Sequence, residues 1–95
     1  MPALSLPEFE ALLQAEQFGE VATVSRDAGY ALGSHRHPFD ACAYIVSGEI
    51  TLVVAGVGRR YGTGDIFRLD ACAEHEEYAG PQGVSYCVGR REASV

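Results

Sequence analysis

Glycine recurs along this chain so often from position 29 onward that only short elements fit between its turns. Gly29, Gly33, Gly48, Gly56, Gly58, Gly62, Gly64, Gly80 and Gly83 bracket stretches that read with the period of strands. Val21–Thr23 and their neighbours, Cys42–Val46, Ile50–Ala55, Asp65–Leu69 and Val84–Val88 are the expected strands. Several short strands separated by glycine turns make an all-β sandwich or barrel. One helix precedes them. Ser5-Leu6-Pro7-Glu8 has the capping-box pattern with proline near the helix start, and Phe9, Leu12, Leu13 and Phe18 follow at helical spacing before Gly19. The expected arrangement is a single domain over residues 1–95, with a helix over about 5–18 and a barrel core over about 20–90.

Composition narrows the function classes. Ninety-five residues can bury one core of modest stability, which favours a metal or a second subunit as added support. A net charge of −6, with arginine as the sole basic residue type, argues against nucleic acid, because phosphate contacts draw on clustered Lys and Arg. No apolar run approaches a bilayer span and no signal peptide is evident, so the expected location is cytoplasmic, with no membrane partner. Three cysteines, Cys42, Cys72 and Cys87, form no C-x-x-C pair and read as free thiols.

All three histidines fall where one metal site would need them. His35 and His37 form an H-x-H pair in a strand-like run, and side chains two apart on a strand share a face. His75, from a later strand, supplies a third imidazole. Neutral imidazole suits iron, zinc, copper and nickel far better than magnesium or calcium. The expected cofactor is one divalent transition metal, iron first, with zinc, nickel, manganese or copper as alternatives. Carrying the alternation onward places Phe39, Ala41, Ala43 and Ile45 on the histidine face as a substrate pocket. Asp40, Cys42, Tyr44 and Val46 then lie on the other face, unless a bulge near Pro38 shifts the register.

These residues resemble the cupin superfamily, small jelly-roll (double-stranded β-helix) barrels with a metal in the mouth. The family's first motif is Gly-x5-His-x-His-x3–4-Glu-x6-Gly. Gly29, His35, His37 and Gly48 fit it, and Gly64 and His75 fit the second motif within Gly64-Asp65-Ile66-Phe67. The departures are informative: the family's glutamate ligand falls at Ala41, Asp70 stands at the usual proline, Cys72 at a glycine and Ala79 at the terminal asparagine. The resemblance therefore implies a three-histidine cupin with open metal positions, as catalysis or ligand capture requires. Three-histidine cupins include iron-dependent thiol and ring-cleaving dioxygenases, and a cysteine–tyrosine crosslink in some of them draws attention to Cys42 with Tyr86 or Tyr78.

Among the remaining groups, Glu77 shares the face of His75 and is a candidate general base or support for a ligand, against the plainer reading of a solvated charge run with Glu74 and Glu76. Tyr86 is a candidate pocket hydroxyl, and Glu77 and Tyr86 are the two expected catalytic residues. Asp40 either supports His37 or stabilises a turn. Arg68 either binds an anion or is an ordinary exposed strand residue. The expected function is a metal-dependent enzyme, dioxygenase-like or a lyase or isomerase, on a small polar substrate. The alternative is a non-catalytic small-molecule binding or sensing module. A homodimer, formed through an edge strand or the N-terminal segment, is the expected assembly.

Overall fold

The computed structural model describes residues 4–92. One helix, α1 (Leu6–Ala15), precedes six strands: β1 (Glu20–Arg26), β2 (Ala31–His35), β3 (Phe39–Val54), β4 (Val57–Gly62), β5 (Ile66–Leu69) and β6 (His75–Glu92). The helix starts where the capping box requires. The Ser5 side chain accepts from the Glu8 N–H while the Glu8 carboxylate accepts from the Ser5 N–H. It ends three residues before the expected limit, because Gln17 turns into a left-handed conformation (φ 63°).

β3 and β6 are long, bent strands that each serve two layers. The first half of β3 pairs with β5 and with the end of β6, which also takes β1 on its other side. The second half of β3 pairs with β4 and with the start of β6, which also takes β2. All pairings are antiparallel. The change of layer in β3 coincides with register shifts between Ile45 and Ser47 and between Gly48 and Ile50. Bulges of this kind bend a strand and sharpen its twist. They join into one strand what periodicity divides into Cys42–Val46 and Ile50–Ala55. This is the jelly-roll arrangement the sequence implies.

The core lies between the layers. Ala41, Ala43, Ile45, Phe67, Tyr86 and Val88 from one layer meet Ile50 and Leu52 from the other. A second cluster forms on the outer face of the first layer, where Phe9, Leu13 and Phe18 cover Cys42 and Cys87. The N-terminal segment thus spends its apolar face within the chain. Arg68 helps hold it there, with its guanidinium donating to both carboxylate oxygens of Glu16 at 2.9 and 2.7 Å. Arg68 is therefore a structural tie to the segment after α1 and carries no free charge for an anion. The Tyr44 hydroxyl, on the same outer face, donates to the Leu4 carbonyl at 2.8 Å.

Asp40 fastens three segments. Its carboxylate accepts from the Ala71 N–H at 2.8 Å and from Arg91, whose guanidinium also donates to the Glu16 carbonyl at 2.7 Å. The Ala71 N–H and then Arg91 hold the Asp40 carboxyl below its ordinary value of 3.8. A carboxyl whose folded pKa is depressed adds stability above its unfolded value, and that stability is lost as pH falls through the folded one. The expected result is that Asp40→Asn is less stable than the parent at neutral pH but loses less on acidification below about pH 4. Thermal melts of both proteins between pH 7 and 3 check this; parallel curves would show that the bond adds nothing pH-dependent.

Candidate metal centre

The three histidines come from three places at one end of the barrel. His35 is the last residue of β2, His75 is the first of β6 opposite it, and His37 lies in the connection to β3. The strand-like run around H-x-H is thus interrupted at 36–38, but the shared facing of its members survives. His37 stacks on Phe39 (centroids 4.9 Å, 15° between planes), and Ala41, Ala43 and Ile45 continue inward from Phe39 into the core. Each of the three imidazoles offers a ligand atom within 4.8 Å of the others.

Hydrogen bonding fixes which nitrogens face the centre. The Nδ1 of His35 lies 2.8 Å from the Gly33 carbonyl, and the Nδ1 of His75 lies 3.0 Å from the Ala73 carbonyl. A carbonyl can only accept, so each Nδ1 carries a proton, and in the ligating form of each ring the Nε2 is the bare nitrogen. Both Nε2 atoms are buried without a hydrogen-bond partner. A buried acceptor left unmatched is costly, and one cation answers both. Backbone carbonyls on the distal nitrogen are also the usual way a ligating histidine is oriented. Burial, the largest cause, pushes the His37 pKa down, which favours the neutral, ligating form of that ring. The donor set therefore fits a transition metal.

The loop before His75 explains how the Ala73 carbonyl is aimed. Besides Asp40 on the Ala71 N–H, the Cys72 N–H donates to the His37 carbonyl at 2.7 Å and the Ala73 N–H to the Asp70 carbonyl. Cys72 has φ 65°, a left-handed conformation that glycine adopts without strain. That accounts for the glycine at this position in the cupin motif. Asp40 thus acts on His75 through the loop and makes no contact with His37, the partner the sequence suggested.

Glu77 and Tyr86 reach the same interior. Glu77 is 9% exposed, and its Oε2 lies 3.5 Å from the His35 Nε2. Its neighbours Glu74 and Glu76 face outward, Glu74 to Ser34 and Arg36 and Glu76 to Tyr78. Tyr86 is 8% exposed, and burial, then the Glu77 charge, raises its pKa to about 12. It stays a neutral phenol at any working pH. Both residues line a cavity of about 120 Å³ together with His37, Phe39 and Ala41. Ala43 and Ile45, expected in the pocket, are fully buried in the core beneath it. Cys42 faces away under the helix, so no crosslink to Tyr86 or Tyr78 is within reach, and burial raises its thiol pKa. Sequence reasoning missed the parts of the wall that come from Val24, Arg26, Tyr30 and Arg90. The inward alternation of Tyr86, Val88 and Arg90 along β6 was the available signal for the last of these.

The model of the cupin domain family matches residues 23–80, more than half of the chain. The chain belongs to the cupin family. Among solved structures, this cupin is similar to the DMSP lyase DddQ from Ruegeria pomeroyi, with 25% identity and a TM-score of 0.68, over 75% of this chain and 36% of the lyase. It is similar to KdgF from a Halomonas species, with 25% identity and a TM-score of 0.63, over 74% of this chain and 67% of that one. The cupin domain of Cnp3 from Schizosaccharomyces pombe superposes with a TM-score of 0.69 at 15% identity, over 76% of this chain and 54% of that one, a likeness of fold. The chain thus spans well under half the length of the DMSP lyases it matches. No curated protein matches it in sequence. Among the described residues no helix is long and apolar enough to cross a membrane.

Proposed function

We propose that this cupin is a metal-dependent enzyme of the lyase or isomerase type, acting on a small polar substrate. The observation that carries the reading is the convergence of Glu77 and Tyr86 on the cavity that also holds His37. His35, His37 and His75 would hold the metal, and iron is proposed ahead of zinc, nickel, manganese and copper. When bound, the metal supplies Lewis-acid polarisation of a substrate oxygen. Glu77, beside His35, is placed to take a proton from the carbon next to that oxygen. Tyr86, kept neutral, is placed to donate to an oxygen on which negative charge develops. Phe39, Ala41, Phe67 and Leu69 form an apolar wall that keeps water from competing. The 25% identity with a DMSP lyase supports the lyase class.

Glu77→Gln keeps the shape of the side chain and removes its basicity. Turnover of the small oxygenated compound found by screening the metal-loaded protein should fall by about 10²–10⁴-fold, with metal content unchanged. Equal turnover would remove Glu77 from the mechanism. A dioxygenase is the second reading, favoured by Ala41, which leaves the family's carboxylate position empty beside three imidazoles. Oxygen uptake during turnover would select it. Tight ligand binding with no turnover would select a sensing module. For the assembly we propose a homodimer through an edge strand. β1 and β4 are the edges of the main strand path, and β4 carries the most exposed large apolar side chain, Val57 at 68%. Sedimentation equilibrium checks it.

A further inference from the structure

Two arginines of the cavity wall have no acidic partner. Arg36, Arg60, Arg68 and Arg91 each lie within ion-pair distance of a carboxylate; among the described residues Arg26, Arg59 and Arg90 do not, and of these three Arg26 and Arg90 line the cavity. Both line the cavity from its exposed rim. Arg90 follows Tyr86 and Val88 along β6 and pairs in register with Ala41, while Arg26 follows Val24 along β1. Each guanidinium is set against an aromatic ring, Arg26 at 5.0 Å from the Tyr30 centroid and Arg90 at 4.8 Å from the Phe39 centroid. An aromatic face steadies a guanidinium without neutralising it. The charges of both arginines also oppose the rise in the Tyr86 pKa, so both act on the same phenol.

In a chain of net charge −6, two cations without an acidic partner concentrate positive charge at one small cavity. Nothing in a neutral ligand would call for them. The imidazole Nε2 atoms and Glu77 occupy the cation-binding side of the site, where an anionic group would meet the Glu77 carboxylate. A carboxylate on the ligand is accommodated at the guanidiniums instead, where planar, bidentate pairing is available. At about 120 Å³ the cavity falls well short of the roughly 300–1,000 Å³ of drug-sized sites, so the enclosed part of the ligand is a few heavy atoms. Phe39 and Arg90 also line a wider surface groove of about 800 Å³, into which a longer ligand can extend.

We infer that the ligand of this site is a small carboxylate with a separate metal-binding oxygen, its carboxylate held by Arg26 and Arg90. The inference rests on the metal-centre reading above and specifies its substrate class. Calorimetric titration of the cobalt-loaded protein tests it with three probes: malonate, the neutral malonamide, and acetohydroxamate, a chelator that requires the metal alone. Malonate should bind at least tenfold more tightly than malonamide. Arg26→Gln and Arg90→Gln should each weaken malonate by tenfold or more and leave acetohydroxamate within twofold. Arg59→Gln, which removes the same charge from a surface position outside this cavity, should change neither. Acetohydroxamate binding with no preference for malonate, or with malonate indifferent to both cavity arginines, would overturn the inference and leave the metal centre standing. An Arg59 effect equal to theirs would overturn it too, as a matter of net charge. If no probe binds and cobalt itself is not retained, the metal centre falls and the inference with it.

Discussion

His75→Ala should abolish the response of this protein to metal. His75 is 2% exposed, its Nε2 has no partner, and its Nδ1 is already committed to the Ala73 carbonyl. Ligand binding to the folded state alone stabilises by about 4 kcal/mol when the free ligand is a thousandfold above its dissociation constant. For a domain of this size that is a rise in Tm of roughly 15 °C or more. Melting curves with and without zinc or iron should show such a rise for the parent and none for His75→Ala. Metal content by mass spectrometry should fall from about one ion per chain to a trace, since the affinity lost exceeds the roughly 100-fold that follows from losing a supporting hydrogen bond. A variant that still binds and is still stabilised would sink the three-histidine site. A parent stabilised by metal but with no ligand affinity would reduce the metal to a structural clasp.

The second large effect lies away from the site. Gly48→Ala should unfold a good part of the population at 37 °C. Gly48 has φ +74°, and a Cβ there would stand 2.1 Å from the Gly83 carbonyl oxygen and 3.0 Å from the Val84 Cα. Those atoms belong to β6 where it crosses from one layer to the other, so neither can retreat without breaking the β3–β6 ladder. The left-handed conformation costs an alanine roughly 1–2 kcal/mol and the overpacking another 1–3. A loss of about 2–5 kcal/mol is a large share of what a chain this short possesses. Urea denaturation of the two proteins measures it. A change under 1 kcal/mol would mean that the bulge relaxes freely.

Gly48 also shows how far the sequence could be read. Its place at the end of the cupin motif was legible, and so were Gly64, the three histidines and the capping box, because each is a fixed residue at a fixed spacing. The jelly roll followed from them. What alternation could not supply was continuity. β3 runs through two bulges, so its two halves look like separate strands, and β4 (Val57-Gly-Arg-Arg-Tyr-Gly62) has too few apolar residues to register as a strand. Its place is set by pairing with β3. In the site, facing was predictable but depth was not: Phe39 and Ala41 reach the cavity, while Ala43 and Ile45 on the same face pass below it. Glu77 was legible from its spacing to His75. Arg90 carried a signal only in its alternation with Tyr86 and Val88, and Arg26 carried none, because an inward arginine at the end of a strand looks in sequence like any exposed charge.

The two-layer role of β6 has a consequence for how the chain is made. Among the described residues β1 has no strand partner except the second half of β6, and the first half of β3 relies on that same segment for one of its two ladders. The first strands of the barrel to be made therefore wait for its last strand segment, Val84–Glu92. Until then their apolar faces and open edges are exposed, and long-range pairing of this kind is slow to form. α1, which begins with a complete cap but packs over Cys87 as well as Cys42, can dock in full only after that segment arrives. Translation order thus makes the last strand of the barrel the trigger for its closure, metal site included.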